Sequence, residues 1–328
     1  MIRQTIALLF VAAALPTTAQ TYPAKSILVI SPVQAGSAGD TTLRLVTQKM
    51  SQNIGQQLLV ENTTGAAGII GAQRLARAAP DGYTVGGISD STLTYVPILQ
   101  KRNDFDPLTL FEPVSLLSFS TWVLIAHPSL SVKSVREFVA LARSQTLPSS
   151  ALSQTRRLDY ASAGLGGSHH VVMEMFNAAT GIKLHHVPYR GATQAAVDVQ
   201  AGHVPVMFSA LAVVLGPIQS GRLRALGIAN ESRRPLLPET PTIAESGVAG
   251  FTFSTWTGFF APRGTPKAVI ERLNAEVVKA AADTTLRARI QALGGNAQAS
   301  TPLELADRIR QTTRKMLKVI QDAKITIE

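Results

Sequence analysis

Residues 26–40 read SILVISPVQAGSAGD, and this stretch decides the fold class. Its apolar part, residues 26–30, predicts a buried strand, because short apolar runs bounded by turn residues are typical of parallel sheets. Residues 35–39 are rich in small residues and predict a loop. Asp40 then predicts the N-cap of a helix that runs to about Ile54, because its carboxylate can accept first-turn N–H groups. This strand–loop–helix order is typical of an α/β protein.

The same unit recurs along the chain. Further strands are predicted at residues 57–60, 84–88, 158–161, 183–187, 204–208 and 223–228. Two longer extended segments, residues 114–126 and 251–261, are predicted to cross between two sheets. The tail is helical, and TPLE at residues 301–304 predicts a capping box with Pro in the first turn. Two crossings and a returning tail predict a hinged, two-lobed clamp with a ligand in its cleft.

Length and composition restrict the class of protein. The 328 residues suggest about two domains at typical domain size. Apolar residues make up 45% of the chain, which supports a packed core and excludes a disordered protein. The chain has no cysteine, which excludes a disulfide framework and a cysteine-ligated metal site.

The first nineteen residues predict a signal peptide. Arg3 supplies a positive start, residues 6–15 are apolar, and Pro16 ends that run. Small residues at Thr17 and Ala19 predict cleavage after Ala19, and hence a location in the periplasm or outside the cell. The alternative is an N-terminal anchor helix. Cleavage there predicts a mature chain that begins near Gln20.

The formal net charge of +10 permits nucleic-acid binding, but the pattern does not favour it. The basic residues are scattered, and aromatic residues make up only 5% of the chain, so no stacking platform is evident. A solvated basic surface is the simpler interpretation, and attraction of small anions or of an anionic membrane face is the alternative.

Three loops follow predicted strands and carry the candidate binding residues: residues 31–40, 88–92 and 162–170. In an open α/β sheet, ligands bind outside the carboxyl ends of the strands. The first and third loops end at helix N-termini, where free N–H groups and the helix dipole favour carboxylates or phosphates. The alternative is that these glycines only make tight turns.

Enzymatic and metal-binding alternatives rest on few residues. Ser168 beside His169 and His170 permits a serine hydrolase, although sequence adjacency does not supply the required geometry. The doublets at residues 169–170 and 185–186 offer one metal ligand each at most, because neighbouring side chains point apart. Trp122 and Trp256 lie on the two crossing segments, where they pack at a hinge or stack on a ligand.

Several motifs together resemble the Bug family of periplasmic solute receptors, which are related to tripartite tricarboxylate transporters. The resemblance covers essentially the whole mature chain. Its motifs are YPxK at 22–25, VEN at 60–62, GAxGxxGA at 65–72, APDGYT at 79–84, YASxGxG at 160–166, HVPYRG at 186–191, LRAL at 223–226, PTIAESG at 241–247 and APxGTP at 261–266.

The resemblance implies a type II periplasmic-binding-protein fold, a Venus flytrap. We expect a signal peptide at residues 1–19, a first lobe at 20–119 with 256–328 returning to it, and a second lobe at 120–255. Family members typically hold a ligand carboxylate between the lobes. Together with the loop serines Ser89 and Ser91, the positions that match the family pattern give the predicted binding residues Val33, Gly36, Ser37, Asp40, Ser89, Ser91, Ser162, Gly164, Gly166, Ser168, His170 and Ser209.

Two departures from the family pattern bear on the ligand. Val33 stands where the family usually has Phe, which widens the pocket, and Ser209 stands where Asp is common. Loss of that acceptor makes an amino-acid ligand less favourable and a plain, bulkier carboxylic acid more so. The sequence thus predicts a monomeric periplasmic receptor that passes a small organic acid to a membrane transporter or sensor, without cofactor or metal. The alternative is an exported serine hydrolase.

Overall fold

A computed structural model describes residues 22–146 and 158–327. The predicted signal peptide and the predicted surface loop at residues 147–157 lie outside this part of the chain. The described part contains two sheets, each flanked by helices, and this confirms the α/β two-lobed fold. We call the elements around each sheet the first lobe and the second lobe.

The first sheet has six strands in the order β11-β4-β10-β3-β1-β2. Strand β1 is parallel to β2 and β3, whereas β10 is antiparallel to both β3 and β4, and β11 is antiparallel to β4. The bounds of these strands are β1 Ile27–Ser31, β2 Leu58–Asn62, β3 Thr84–Ser89, β4 Phe111–Ser120, β10 Thr255–Pro262 and β11 Gly295–Ala297.

The second sheet has five strands in the order β7-β6-β8-β5-β9. Strand β6 is parallel to β7 and β8, and β5 is antiparallel to β8 and β9. The bounds are β5 Trp122–Ala126, β6 Asp159–Ser162, β7 His185–Pro188, β8 Val206–Ala210 and β9 Arg224–Ile228. Every residue of β5 and of β8 is buried, as expected for strands with helices on both faces.

Eleven α-helices connect and cover the strands within the described residues. Their bounds are α1 Ala38–Ile54, α2 Ile69–Ala76, α3 Asp90–Leu99, α4 Pro107–Leu110, α5 Val135–Thr146, α6 Ser168–Thr180, α7 Ala192–Gln200, α8 Leu211–Gln219, α9 Lys267–Ala282, α10 Thr284–Ala292 and α11 Pro302–Asp322, with a short 3-10 helix at Ala66–Gly68. None of these helices combines the length and apolarity needed to cross a membrane.

The cap of α1 differs from the prediction. The N-cap is Ser37, whose hydroxyl accepts a hydrogen bond from the backbone N–H of Asp40, so the assignment of Asp40 as the cap was wrong. The helix begins earlier because Ser37, three positions before Asp40, already supplies the acceptor that the first turn needs. The predicted capping box of α11 is confirmed, since Thr301 and Glu304 each accept from the other's backbone N–H.

The first crossing between the sheets is a break between two strands. The predicted extended segment at residues 114–126 divides into β4, which ends at Ser120, and β5, which begins at Trp122. The break is fixed by the segment that follows β9 and by the other crossing. The Trp122 backbone N–H donates to the side-chain oxygen of Asn230, and its indole N–H donates to Thr255 at 2.9 Å. The two crossings are therefore bonded to each other.

The chain returns through the second crossing. The Phe253 N–H donates to the Ala229 carbonyl of the second lobe, and β10 begins two residues later in the first sheet. The predicted strand at residues 251–261 thus begins only at Thr255. The last three helices then pack on the first lobe, α9 against α1 and β4, and α11 against α3 and β4.

Candidate functional site

A cavity of about 490 Å³ lies between the two lobes. Its walls come from loops of the first lobe at residues 32–39, 64–68 and 89–92, and from loops of the second lobe at 163–169 and 189–192. The remaining wall residues lie at the crossings and at the start of α8: Ser120, Trp122, Ala210, Val213, Thr255, Trp256 and Thr257. The cavity therefore belongs to both lobes.

Six helices begin at this cavity. The N-cap residues of α1, α2, α3, α6, α7 and α8 all line it: Ser37, Gly68, Ser89, Gly167, Gly191 and Ala210. Five of these helices, all except α1, have no side-chain hydrogen bond that caps the first turn. Each helix N-terminus carries about half a positive charge, so the dipoles add in one place.

The charged side chains of the wall favour an anion, as the helix dipoles do. Arg190 is the one charged side chain among the wall residues that the structure describes, and no aspartate or glutamate lies among them. No wall carboxylate would therefore repel an anion in the cavity. For the same reason, an ammonium group would have no wall carboxylate with which to form an ion pair. The helix N-termini and the charges of the wall therefore favour an anion over a cation in this cavity.

Asp40 organises the first-lobe loop from behind the wall. Its carboxylate accepts hydrogen bonds from Gly36 at 3.0 Å, Arg44 at 3.0 Å, Asn62 at 2.7 Å and Ser31 at 3.3 Å. Burial raises the pKa of Asp40, but the hydrogen bonds from Arg44, Asn62 and Gly36 outweigh it and hold the pKa below its ordinary value. The charged carboxylate therefore fixes the loop that carries Val33 and Ser37.

A histidine pair holds the second-lobe loop. The Gly166 N–H donates to His170 Nδ1 at 3.1 Å, and the Ser162 hydroxyl lies 2.5 Å from His186 Nε2 and accepts the Gly164 N–H at 3.0 Å. The two imidazole rings stack with their centroids 4.3 Å apart. Burial lowers the pKa of His170, and burial with the neighbouring histidines lowers the pKa of His186 to about 4. Both rings are neutral at pH 7.

Ser168 contacts the first lobe, and no histidine among the described residues is bonded to its hydroxyl. Its hydroxyl lies 2.7 Å from the hydroxyl of Tyr95 on α3. His170 accepts from Gly166, and the ring of His169 packs edge-on against Trp122 with centroids 4.8 Å apart. The hydrolase alternative requires a histidine bonded to Ser168, and the described contacts of Ser168 give it no support.

The structure divides the twelve predicted binding residues into two groups. Six line the cavity: Val33, Ser37, Ser89, Ser91, Gly164 and Ser168. Six lie outside its wall: Gly36, Asp40, Ser162, Gly166, His170 and Ser209. Ser209 is fully buried and donates to the Ala210 carbonyl, so the wall residue at that strand end is Ala210. The second group can act on a ligand only through the loops that it holds.

Other wall residues were absent from the predicted set. The loops at residues 64–68 and 189–192 follow β2 and β7, and the rule that ligands bind at the carboxyl ends of parallel strands could have found them. Thr255 and Thr257 lie on the antiparallel strand β10, to which that rule does not apply. Gln34 and His169 stood inside the predicted loops but were not singled out as ligand contacts.

The two tryptophans have mainly a packing role. The indole N–H of Trp122 donates to Thr255, and that of Trp256 donates to Thr312 on α11 at 3.1 Å. Both side chains are almost fully buried and present only a small surface to the cavity. This arrangement agrees with hinge packing, the first of the two interpretations of these residues.

Two larger cavities lie elsewhere in the described part of the chain. One of about 780 Å³ borders the crossings and α11, and it includes Glu231 together with Arg234 and Lys315. Another of about 940 Å³ lies between α3 and α11. The first of these cavities also has residues of both lobes in its wall, but neither cavity brings several helix N-termini together. The interlobe cavity is therefore the better candidate for ligand binding despite its smaller volume.

The chain is similar to known receptors along most of its length. Residues 42–325 match the family described as "Tripartite tricarboxylate transporter family receptor". The protein BugT of Bordetella pertussis is 30% identical over 310 residues, which cover 94% of this chain and 92% of BugT.

Two solved structures share the fold and carry ligands. An R. palustris protein with adipate is 26% identical, with a TM-score of 0.87 and coverage of 93% of this chain and 99% of that one. MatC from Rhodopseudomonas palustris with bound malate is 30% identical, with a TM-score of 0.83 and coverage of 91% and 100%. The chain thus belongs to the tripartite tricarboxylate transporter receptor family, the group of Bug-type periplasmic receptors that its motifs predicted.

Proposed function

We propose that this protein is a periplasmic receptor that closes on a small organic carboxylate in the interlobe cavity. One observation carries the proposal: six helix N-termini meet at a cavity whose described wall has one arginine and no acidic side chain. A carboxylate accepts N–H groups from both lobes at once, so binding would stabilise the closed form. Each hydrogen bond to a charged group contributes about 1.5–3 kcal/mol.

The relatives support a ligand with two carboxylates. Adipate and malate, the ligands of two structural neighbours, are both dicarboxylates. A cavity with helix N-termini on opposite walls suits a molecule that is charged at both ends. Arg190 lies on the second-lobe wall and would pair with one of the carboxylates, because guanidinium and carboxylate groups bind in a bidentate manner.

The proposal also covers export, the boundaries of the lobes, the oligomeric state and the delivery of the ligand. We infer that residues 1–19 are removed on export, that the lobes comprise residues 20–119 with 256–328 and residues 120–255, and that the receptor is a monomer. It would deliver its ligand to a membrane transporter or a sensor, and it would release the ligand chemically unchanged.

Calorimetric titration of the purified protein tests the central proposal. We expect saturable binding of at least one acid from a panel of mono-, di- and tricarboxylates, and no binding of the corresponding amides. Arg190→Gln should weaken that binding by about tenfold or more, because one charge-assisted bond is lost. Arg314→Gln, on α11 and not among the residues that line this cavity, is the matched control. Equal binding of acids and amides would contradict the proposal.

Analysis of the bound ligand tests the claim that the protein is a receptor and not a hydrolase. Ester and amide derivatives of the acid that binds should remain intact after prolonged incubation with the protein. Ser168→Ala should change the affinity for the acid, and neither the wild type nor the variant should hydrolyse any of the added compounds. Steady turnover that disappears in Ser168→Ala would restore the hydrolase alternative.

A further inference from the structure

The segment that follows α11, residues 323–327, leaves the helix in a fixed direction. Lys324 has a backbone φ of 51°, in the left-handed region at which many helices end. The N–H groups of Lys324 and Ile325 donate to the carbonyls of Gln321 and Ile320. The Ile325 side chain is 5% exposed and lies with Ile320 in the core of the first lobe. These hydrogen bonds and this apolar contact form a Schellman motif, which fixes the course of the residues beyond it.

Two side chains of the first lobe cover Gly166 in the loop before α6 of the second lobe. A methyl group on Gly166 would lie 3.4 Å from Ile327 Cγ2 and 3.6 Å from Leu99 Cδ1. These are ordinary van der Waals distances, so both side chains pack beside residue 166. Gly166 has a φ of 73° and donates its N–H to His170. The turn at Gly166 is therefore held by His170 from its own lobe and by Ile327 and Leu99 from the other.

The loop that Ile327 contacts also carries part of the cavity wall. Its residues 163–164 and 167–169 line the interlobe cavity, whereas Gly166 does not. Next to the loop, Val171 of α6 is fully buried in the core cluster of the first lobe, so the apolar contact between the lobes continues there. A ligand in the cavity and Ile327 would thus act on the same loop at different points.

We propose that Ile327 is a positioning residue for the ligand-binding loop at residues 163–169. Its contact with Gly166 joins the first lobe to this loop and stabilises the arrangement in which both lobes face the ligand. The inference rests on the proposed carboxylate-binding function and adds to it a contact that controls affinity without touching the ligand. The apparent affinity of a hinged receptor scales with the fraction of molecules in the binding-competent arrangement. A change at Ile327 should therefore alter the affinity for different acids by the same factor.

Calorimetric titration with the acids that bind the wild type, beginning with succinate, malate and adipate, tests this uniform effect. Ile327→Ser removes the apolar contact and should weaken the binding of each acid by about three- to tenfold, with one common factor. Stopped-flow measurements should show that faster dissociation accounts for most of the change. Ile327→Leu keeps an apolar side chain and should retain most of the affinity. Leu303→Ser, at an exposed leucine at the start of α11, is the matched control and should bind as the wild type does.

Hydrogen exchange tests the contact without any ligand. In Ile327→Ser, the amides of residues 163–169 should exchange about threefold faster or more, because the first lobe no longer holds the turn at Gly166. Amides of β5 and β9 in the same lobe should keep their rates. Lys324→Val disfavours the left-handed backbone, so it should redirect the segment and reproduce the effect, whereas Lys324→Gly should not. Thermal unfolding of each variant verifies that it is folded.

The outcomes distinguish this inference from the function on which it rests. Wild-type affinities in Ile327→Ser, or different factors for different acids, overturn the inference and leave carboxylate binding intact. A lower unfolding temperature with unchanged exchange at residues 163–169 likewise overturns it, because Ile327 would then only stabilise the first lobe. Failure of every acid to bind the wild type overturns the proposed function and the inference together. Weaker binding by one common factor, together with faster exchange of the loop, supports both.

Discussion

Asp90 at the start of α3 is a buried carboxyl group that no cation neutralises in the described structure. It is 2% exposed, and it accepts hydrogen bonds from the backbone N–H groups of Ser91 and Trp256. Burial raises its pKa from 3.8 to about 8, more than these bonds lower it. The pKa of Tyr95, on the same helix, is likewise raised by burial and by Asp90. Asp90 is therefore largely protonated in the folded protein at pH 7.

The consequence is a loss of stability with rising pH. Between about pH 4 and pH 8 the folded state holds a proton on Asp90 that the unfolded state releases, so the free energy of unfolding falls. The slope contributed by one such group is at most about 1.4 kcal/mol per pH unit. Asp90→Asn cannot ionise, so its stability relative to the wild type should increase from pH 5 to pH 8. Chemical denaturation at both pH values measures this, and a constant difference would contradict it.

His186 and His170 predict an opposite dependence on the acidic side. Their pKa values are lowered in the folded state, so protonation favours the unfolded chain once the pH falls below the ordinary value of 6.5. The stability that they contribute is present above pH 6.5 and is lost as the pH falls towards 4. His186→Gln should therefore flatten the decline between pH 6.5 and 4.5. Chemical denaturation of the wild type and the variant across this pH range measures the effect, and an equal decline in both would contradict it.

At the scale of elements, the caps of α1 and α11 provide a matched comparison. Ser37 and Thr301 both accept a hydrogen bond from the backbone N–H three residues later, but only Ser37 lines the cavity. Replacement of either by alanine should destabilise the protein by about 1 kcal/mol. Only Ser37→Ala should also weaken ligand binding, because it loosens the loop before α1. Denaturation and titration of both variants measure the two effects, and equal affinities would contradict the second.

The elements that the sequence predicted well are those defined by local pattern. The units β1–α1 and β6–α6 combine an apolar run, a glycine-rich loop and a helix, and neighbouring residues alone determine them. The break between β4 and β5 was not predicted, because Asn230 and Thr255 fix it from more than one hundred residues away. Non-local pairing leaves no periodic signal at the break itself.

Non-local contacts also explain why only half of the predicted binding residues line the cavity. The position of a loop follows from the sheet edge, but which of its residues face the cavity depends on the opposite lobe. Ser162 and Ser168 are equally good candidates by residue type. Ser162 nevertheless bonds to His186 behind the wall, whereas Ser168 lines the cavity and bonds to Tyr95 of the first lobe. Gln34 depends on the absence of a side chain at Gly191, which no pattern within its own loop reveals.

At the scale of the whole molecule, the lobes contact each other directly. The Tyr95–Ser168 bond of 2.7 Å joins α3 to α6, and Val171 of α6 packs into the core of the first lobe. Tyr95→Phe removes the bond and keeps the ring, so this arrangement of the lobes should lose about 0.5–1.5 kcal/mol of stability. Ligand affinity should fall by about three- to tenfold in titrations. Tyr160→Phe, which removes a hydroxyl bonded to Glu174 within the second lobe, should leave affinity unchanged.

The position of β10 has a consequence for how the chain acquires its structure. Strand β10 lies between β3 and β4 in the first sheet, yet it is made after every strand of the second sheet. A nascent or translocating chain can therefore complete the second sheet from one continuous stretch, while β3 and β4 still lack their shared neighbour. Strands β3 and β4 can be joined in the first sheet only after residues 255–262 have been synthesised. The first lobe, whose synthesis begins first, is therefore completed last.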